Sequence, residues 1–544
     1  MKLRRILVLL LVCCWSYAVS AGTPEKYSWE QLPVIAEPVF KKDTFNVQQF
    51  GAVPDGITLN TVAFNKAIST CHNRGGGVVL IPKGIWLTGP VELLSNVNLH
   101  VQKEAMLLFS DDFDQYKLVV GIYEGRRSAR NQSPISGTNL ENVAITGTGI
   151  IDGNGDVWRM VGKDRLNEWE WKRKVASGGL VSSDGQTWFP SSKTKLAFDS
   201  RRVPLMKDGQ SLSDFNDIKD YLRPNLLVLN NCKKVLLEGV TFQNSPAWCL
   251  HPLMCEDLTV RNIFARNPDY AQNGDGIDVE SCRNVLIENC IFDVGDDGIC
   301  VKSGKDEEGR KRGMPTENMI VRNNVVYKAH GGFVIGSEMS GGARNIFVYD
   351  CSFIGTDIGL RFKTTRGRGG IVENIYVRNI MMKDIVNDAI LFDMYYFTKP
   401  EPNAPAPTVT EATPQFRNFF ITDIVCHGAD RGVFIRGLPE MPVQHISLNN
   451  MILQTNKGVE IIEAAHISLN NLQLINKIKT PALFVDNSSD IQFDSINYDP
   501  GATVLLSLNG VRSNQISIRN TRITSSVQKV SFNNGANKNM LISN

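Results

Sequence analysis

From Val235 onward the chain repeats one pattern of apolar and polar positions. VLLEGVTF (235 to 242), LTVRNIFA (258 to 265), VLIENCIF (285 to 292), MIVRNNVV (319 to 326), IFVYDCSF (346 to 353) and IYVRNIMM (375 to 382) share it, as do FFITDIVC, ISLNNMIL, ISLNNLQL and ISIRNTRI, starting at 419, 446, 467 and 516. Apolar, often β-branched residues alternate with polar ones around an Asn, Asp or Gly, which predicts short strands broken by a turn. The repeat leaves no room for a helix between copies. A period in the low-to-middle twenties made of strands and turns predicts a parallel β-helix, all-β, and not a leucine-rich horseshoe, whose leucine spacing is missing. Asparagines at the break, as in VRN, IEN, LNN and IRN, are expected to stack as an internal ladder. Longer offsets mark loops, of which Thr398 to Gln415 is Pro-rich and expected to be exposed and irregular.

Ahead of the repeats the period changes. Val62, Phe64, Ala67, Ile68 and Cys71 recur at helical spacing after Asn60 or Thr61, and Gly75-Gly76-Gly77 closes the segment. This predicts an N-terminal capping helix over the open end of the coil. Residues 143 to 155, VAITGTGIIDGNG, read as strands with glycine turns, since the Gly spacing does not suit a phosphate loop. From about 156 to 222 the rhythm gives way to a charged insert with Trp158, Trp169, Trp171 and Trp188. Such an insert is expected to be a functional loop on one face, its tryptophans stacking on sugar rings or packing on the loop itself.

A second strand set carries the candidate chemistry. Aligned on GIDVES (276), GICVKS (298), GFVIGS (332), GLRFKT (359) and AILFDM (389), alternation sends Ile277, Val279, Ile299, Val301, Phe333, Ile335, Leu360 and Phe362 inward. Asp278, Glu280, Lys302, Arg361 and Lys363 then face outward. Asp275, Asp296, Asp297 and His330 stand just ahead of these strands, with Asp275 in register with Asp297 and Asp296 with His330. In-register residues of parallel strands lie about 4.8 Å apart, so three carboxylates share one patch. Like charges that close disfavour joint ionisation, so at least one carboxyl is expected to hold its proton unusually strongly.

The N-terminus, MKLRRILVLLLVCCWSYAVSAG, has Lys2, Arg4 and Arg5, a short apolar run and a small-residue end at Ala21. It reads as a signal peptide over 1–21, with lipoprotein anchoring through Cys13 or Cys14 as a weaker option. The expected location is periplasmic or extracellular, with no membrane span in the mature chain. A linker over 22–43 and one β-helix domain over 44–544 complete the division. Without the leader the formal charge falls from +2 to −1, which offers nothing for nucleic acid. Nine of the 11 cysteines remain, with no CxxC pair, and read as core-filling thiols.

NGDGID (273 to 278), GDD (295 to 297), HGG followed by FVIGS (330 to 337) and RFK (361 to 363) resemble, in order and spacing, the four signatures of the polygalacturonases of glycoside hydrolase family 28. FGAVPDG near residue 50 resembles the start of pectate lyase-like β-helices. The resemblance implies a right-handed parallel β-helix that hydrolyses α-1,4 bonds in pectic galacturonan with inversion and without cofactor or metal; an isolated β-helix needs no partner, so a monomer is expected. It implies Asp296 as general acid, Asp275 and Asp297 as activators of water, and His330 as the group that sets the protonation of the acid. Arg361 and Lys363 would grip a uronate carboxylate, Asn273 would support binding, and Tyr395 would touch substrate. Gly274, Gly298 and Ala329 depart from the family's commoner Thr, Cys and Gly. The insert resembles loops that block one end of the cleft in exo-acting relatives.

Other readings stay in view. Rhamnogalacturonan or xylogalacturonan could be the polymer. A calcium-dependent pectate lyase would use the acidic cluster for metal, and a carbohydrate-binding β-helix would not react at all.

Overall fold

The structure, a computed structural model, describes residues 27–401 and 405–542; the expected signal peptide and the two cysteines within it lie outside the described residues. Two long parallel sheets of 22 and 14 strands wind into a right-handed β-helix. The repeat strands pair in register, as in Val285 with Met319, Met319 with Ile346 and Ile346 with Ile375. The interior is one continuous column of Val, Ile, Leu and Phe, and the nine cysteines among the described residues are free and buried. The helix Thr61–Asn73 closes the N-terminal end, burying Ala63, Phe64, Ala67, Ile68 and Cys71. Val62 instead faces solvent, 82% exposed, because position 63 falls on the inner arc.

Several expectations are corrected. The break asparagines form no internal ladder. Asn262, Asn289, Asn379, Asn450 and Asn520 are exposed at corners with φ of 47 to 56°, a left-handed conformation asparagine adopts more readily than other side-chain-bearing residues. A side-chain ladder does exist among other asparagines, Asn284, Asn318, Asn345, Asn374 and Asn418, at the half-buried surface. A helix also finds room between copies: Asp306–Arg312 follows the strand Asp297–Lys302. The described part of the 22–43 linker packs along the coil, with Trp29 against Phe347, Tyr349 and Tyr376 and Glu37 paired to Arg261.

The strands that carry the site belong to the 14-stranded sheet. Leu227–Asn230, Leu250–Leu253, Ile277–Glu280, Asp297–Lys302, Gly331–Ile335, Leu360–Lys363 and Asp388–Asp393 stack in that order. An antiparallel hairpin, Leu118–Tyr123 with Arg126–Asn131, crosses over part of this face. Its tip reaches the loop after Lys302, where Glu124 pairs with Lys305 at 2.7 Å and the Arg127 N–H donates to Glu308. Outward-facing Asp278 and Glu280 are both 0% exposed, Asp278 beside Lys302 and Glu280 between His251 and Arg312, although alternation does send them away from the coil interior.

The insert is a small subdomain with helices Glu168–Ala176 and Ser192–Asp199 and a three-stranded antiparallel sheet. Trp158 packs edge-on against Phe113 and Tyr116, and Trp188 is buried beneath Lys174. Local packing thus accounts for those two, while Trp169 is exposed beside Arg173.

Candidate active site

Register builds the acidic cluster. Ile277 pairs with Ile299 and Asp297 with Gly331, which sets Asp275 beside Asp297 and Asp296 beside His330. The turn ahead of the strands must be tight: a Cβ at Gly298 would meet Val326 at 2.4 Å, so the family's commoner cysteine does not fit this packing. One carboxylate oxygen from each of Asp275, Asp296 and Asp297 lies within 4.8 Å of the others.

The three carboxyls meet different surroundings. Asp297 is buried, which alone would raise its pKa, but Lys363 Nζ donates to Oδ2 at 2.7 Å and Arg361 Nη1 to Oδ1 at 3.2 Å. These cations outweigh burial and hold Asp297 well below the usual carboxylate range. Asp275 is as deeply buried and has no such partner. Burial, then the charges of Asp278 and Asp296, push its pKa well up, and its Oδ1 has no hydrogen-bond partner. The expected split in proton affinity is present. Asp296 is half-buried, accepts the Asp297 N–H at 2.9 Å and meets His330 Nδ1 at 3.1 Å. That hydrogen bond raises the His330 pKa above its ordinary value.

Arg361 and Lys363 are thus brought to the cluster, and their contacts are to Asp297. Asn273 sits at the same turn with φ 53°, its Oδ1 accepting from Arg223 at 3.0 Å. Tyr395 is placed elsewhere, 5% exposed, with Arg366 and Arg436 over its ring. The next residue, Tyr396, lies 5.0 Å from Lys363 Nζ and 5.8 Å from the Arg361 guanidinium.

Sequence reasoning passed over a buried network beside the cluster. Lys302 Nζ lies 3.4 Å from Asp278 and 3.1 Å from Glu338. Glu280 meets both His251, at 2.9 Å, and Arg312, at 2.6 Å. Burial pushes Asp278 up to about 8 despite Lys302, whereas Lys302, Lys363 and Lys305 overcome burial and bring Glu338 down to about 2.

Chemically, the patch offers a permanent anion, a neutral-leaning carboxyl beside it, and a third carboxyl tied to a protonatable histidine. Both oxygens of Asp297 are engaged by protein cations, a poor arrangement for calcium, which wants several free oxygen ligands.

The sequence profile described as "Glycosyl hydrolases family 28" matches residues 170–458, and "Rhamnogalacturonase A/epimerase, pectate lyase-like" matches 44–172. A "Probable polygalacturonase" of Vitis vinifera is 31% identical over 421 residues, 74% of this chain and 73% of that protein. An "Exo-poly-alpha-D-galacturonosidase" of Dickeya chrysanthemi is 27% identical over 446 residues, 79% and 71% of the two chains. Among solved structures, a hyperthermoactive exopolygalacturonase from Thermotoga maritima superposes with a TM-score of 0.66 at 31% identity, covering 85% of this chain and 94% of that one.

Proposed function

The chain belongs to glycosyl hydrolase family 28, as a glycoside hydrolase of the polygalacturonase kind, and from that premise we propose that it removes galacturonate units from chain ends with inversion. The observation that carries the reading is the meeting of three unlike carboxyls, Asp297 held ionised by Lys363 and Arg361, Asp275 driven toward its neutral form, and Asp296 hydrogen-bonded to His330. A hydrolase that adds one water needs an acid and a base side by side at one pH.

The geometry is compatible with the following roles. Asp296 gives its proton to the departing glycosidic oxygen as the bond to the anomeric carbon breaks, and His330, bonded to it, is the nearest source for reprotonation. A water between Asp275 and Asp297 attacks the same carbon, and its proton passes to Asp297, the ionised member of the pair. The nearest oxygens are closer than the carboxyl separation of roughly 6.5 to 9.5 Å expected of inverting enzymes. Oxygens up to 4.8 Å apart still admit one water about 2.7 Å from each. Tyr396, rather than Tyr395, faces the cations that would meet a uronate.

Action from chain ends is supported by the exo-acting relatives and by the wall that hairpin and insert build on one side of the cluster. Export to the periplasm or beyond completes the reading and rests on the sequence of the first 21 residues. Among the described residues no helix is long and apolar enough to cross a membrane.

The test is to incubate the purified protein with polygalacturonate and chelator. Reducing ends without unsaturated-uronide absorbance, mono- or disaccharide as the first product, and a β anomer by proton NMR are expected. Unsaturated product or loss of activity in chelator would overturn the mechanism.

A further inference from the structure

Beside the acidic cluster, on the side away from Arg361 and Lys363, a pocket is lined by the hairpin, the end of the insert and the turn before Asp275, among them Tyr123, Arg130, Arg223, Asn225, Trp248 and Asn273. We propose that this pocket is a carboxylate-recognising subsite, in which Arg130 and Arg223 receive the uronate at the end of the chain. The inference rests on the polygalacturonase reading and deepens it.

Two observations carry it. The first is charge without a counterion. Arg130 is 9% exposed, yet among the described residues neither it nor Arg223 forms an ion pair. Their hydrogen bonds go to neutral acceptors: Arg130 donates to Asn225 Oδ1 at 3.0 Å, and Arg223 to Pro246 O at 2.9 Å, Gln272 O at 2.6 Å and Asn273 Oδ1 at 3.0 Å. Glu124 lines the same pocket and attracts Arg130, but its carboxylate is committed to Lys305 at 2.7 Å. Burial accordingly drives the Arg130 pKa down to about 10. Burying cations without an anion is costly, and a planar carboxylate is the natural partner of a guanidinium fork. Tyr123, 5.2 Å from the Arg130 guanidinium, and Trp248 also line the pocket.

The second is the closed wall. The Ala129 N–H donates to Pro204 O at 2.9 Å, Met206 N–H to Arg127 O at 3.1 Å and Asn131 N–H to Leu222 O at 3.2 Å. Ala129, Ala197, Phe215, Ile218 and Leu222 form one apolar cluster behind those bonds. Hairpin and insert are thus a single wall, and Arg223 reaches from it to Asn273, two residues before Asp275. A terminal residue seated there places its glycosidic bond toward the carboxylates.

The test compares trigalacturonate with the same trisaccharide methyl-esterified only at its non-reducing terminal carboxylate. Wild-type kcat/KM is expected to favour the free acid by about 10- to 100-fold, the range of a charge-assisted contact. Arg130→Met is expected to lower kcat/KM on the free acid far more than on the ester, so that the preference collapses, and to melt no lower than wild type; Arg130→Lys is expected to recover part of the preference. Equal wild-type rates on both substrates, or a preference that survives in Arg130→Met, overturn the subsite while leaving the polygalacturonase reading standing. Failure of the wild type to cleave either trisaccharide or the polymer removes that reading and the subsite with it.

Discussion

Lys363 Nζ lies 2.7 Å from Asp297 Oδ2 inside a site where both side chains are nearly inaccessible to water, and Arg361 meets the other oxygen of the same carboxylate. The pair fixes the charge on which the chemistry depends. In Lys363→Met, Asp297 keeps only Arg361, and breaking a buried pair from one side costs about 3 to 5 kcal/mol. Because the folded-state pKa of Asp297 is depressed, its contribution to stability is present above the ordinary aspartate value and fades as pH falls. The variant should therefore be much less stable than wild type at pH 7 and closer to it near pH 3, as read by denaturant titration. Its acid limb of kcat/KM should also move upward.

Asp296 is the carboxyl tied to His330 and open to an incoming leaving group. Asp296→Asn keeps the shape and removes the proton, so kcat on polygalacturonate should fall about 10²- to 10⁴-fold, the usual size of general acid catalysis. An aryl galacturonide with an acidic phenol needs little protonation and should lose far less. Equal losses on both substrates would count against the acid assignment.

His330 gains a proton-stabilising bond from Asp296, so its folded pKa lies above the unperturbed value of about 6.5. That stabilisation is complete below the unfolded pKa and disappears as pH rises through the folded one. Activity should accordingly have an alkaline limb above pH 6.5 that belongs to His330. In His330→Gln the optimum rate should drop and the limb should shift, which a pH–kcat/KM profile reads directly.

How much of this was legible depended on whether it repeats. Parallel stacking puts equivalent residues side by side, so the neighbours Asp275 with Asp297 and Asp296 with His330 followed from aligning three six-residue segments. The hairpin Leu118–Asn131 belongs to no repeat and was passed over, though LVVGIYEGRRSARN carries a signal: a short apolar, β-branched run ending at a Glu124-Gly125 turn, with φ of 46° and 75°. The burial of Asp278 and Glu280 was passed over as well, since alternation tells which way a side chain points and not what covers it. Tyr395 and Tyr396 were exchanged because a strand ends at Asp393, and beyond it the two-residue period no longer assigns a face. The cations on Asp297 were seen as a group, but expected to face a ligand before any protein carboxylate.

Glu338 shows how far the buried charges support one another. It is held by Lys302 at 3.1 Å, and the cations Lys302, Lys363 and Lys305 together lower it to about 2 against burial. Its contribution to stability is therefore present above the ordinary glutamate value and is lost as pH falls toward about 2. Glu338→Gln should lower the melting temperature at pH 7 and converge on wild type in strong acid.

Asp278 behaves in the opposite sense. Both its oxygens lack hydrogen bonds, Lys302 approaches only to 3.4 Å, and burial raises it to about 8. Between the unfolded aspartate pKa and about 8, the folded chain holds a proton that the unfolded chain has released, so this residue makes stability decline as pH rises through that window. Asp278→Asn removes the ionisation while keeping the shape, and Lys302 retains Glu338. The variant should match wild type near pH 4 and exceed it by a margin that grows to about pH 8, measured as melting temperature across that range. A constant offset at every pH would show that Asp278 is already ionised in the fold. A margin of the opposite sign would show that its pairing with Lys302 outweighs the cost of burial.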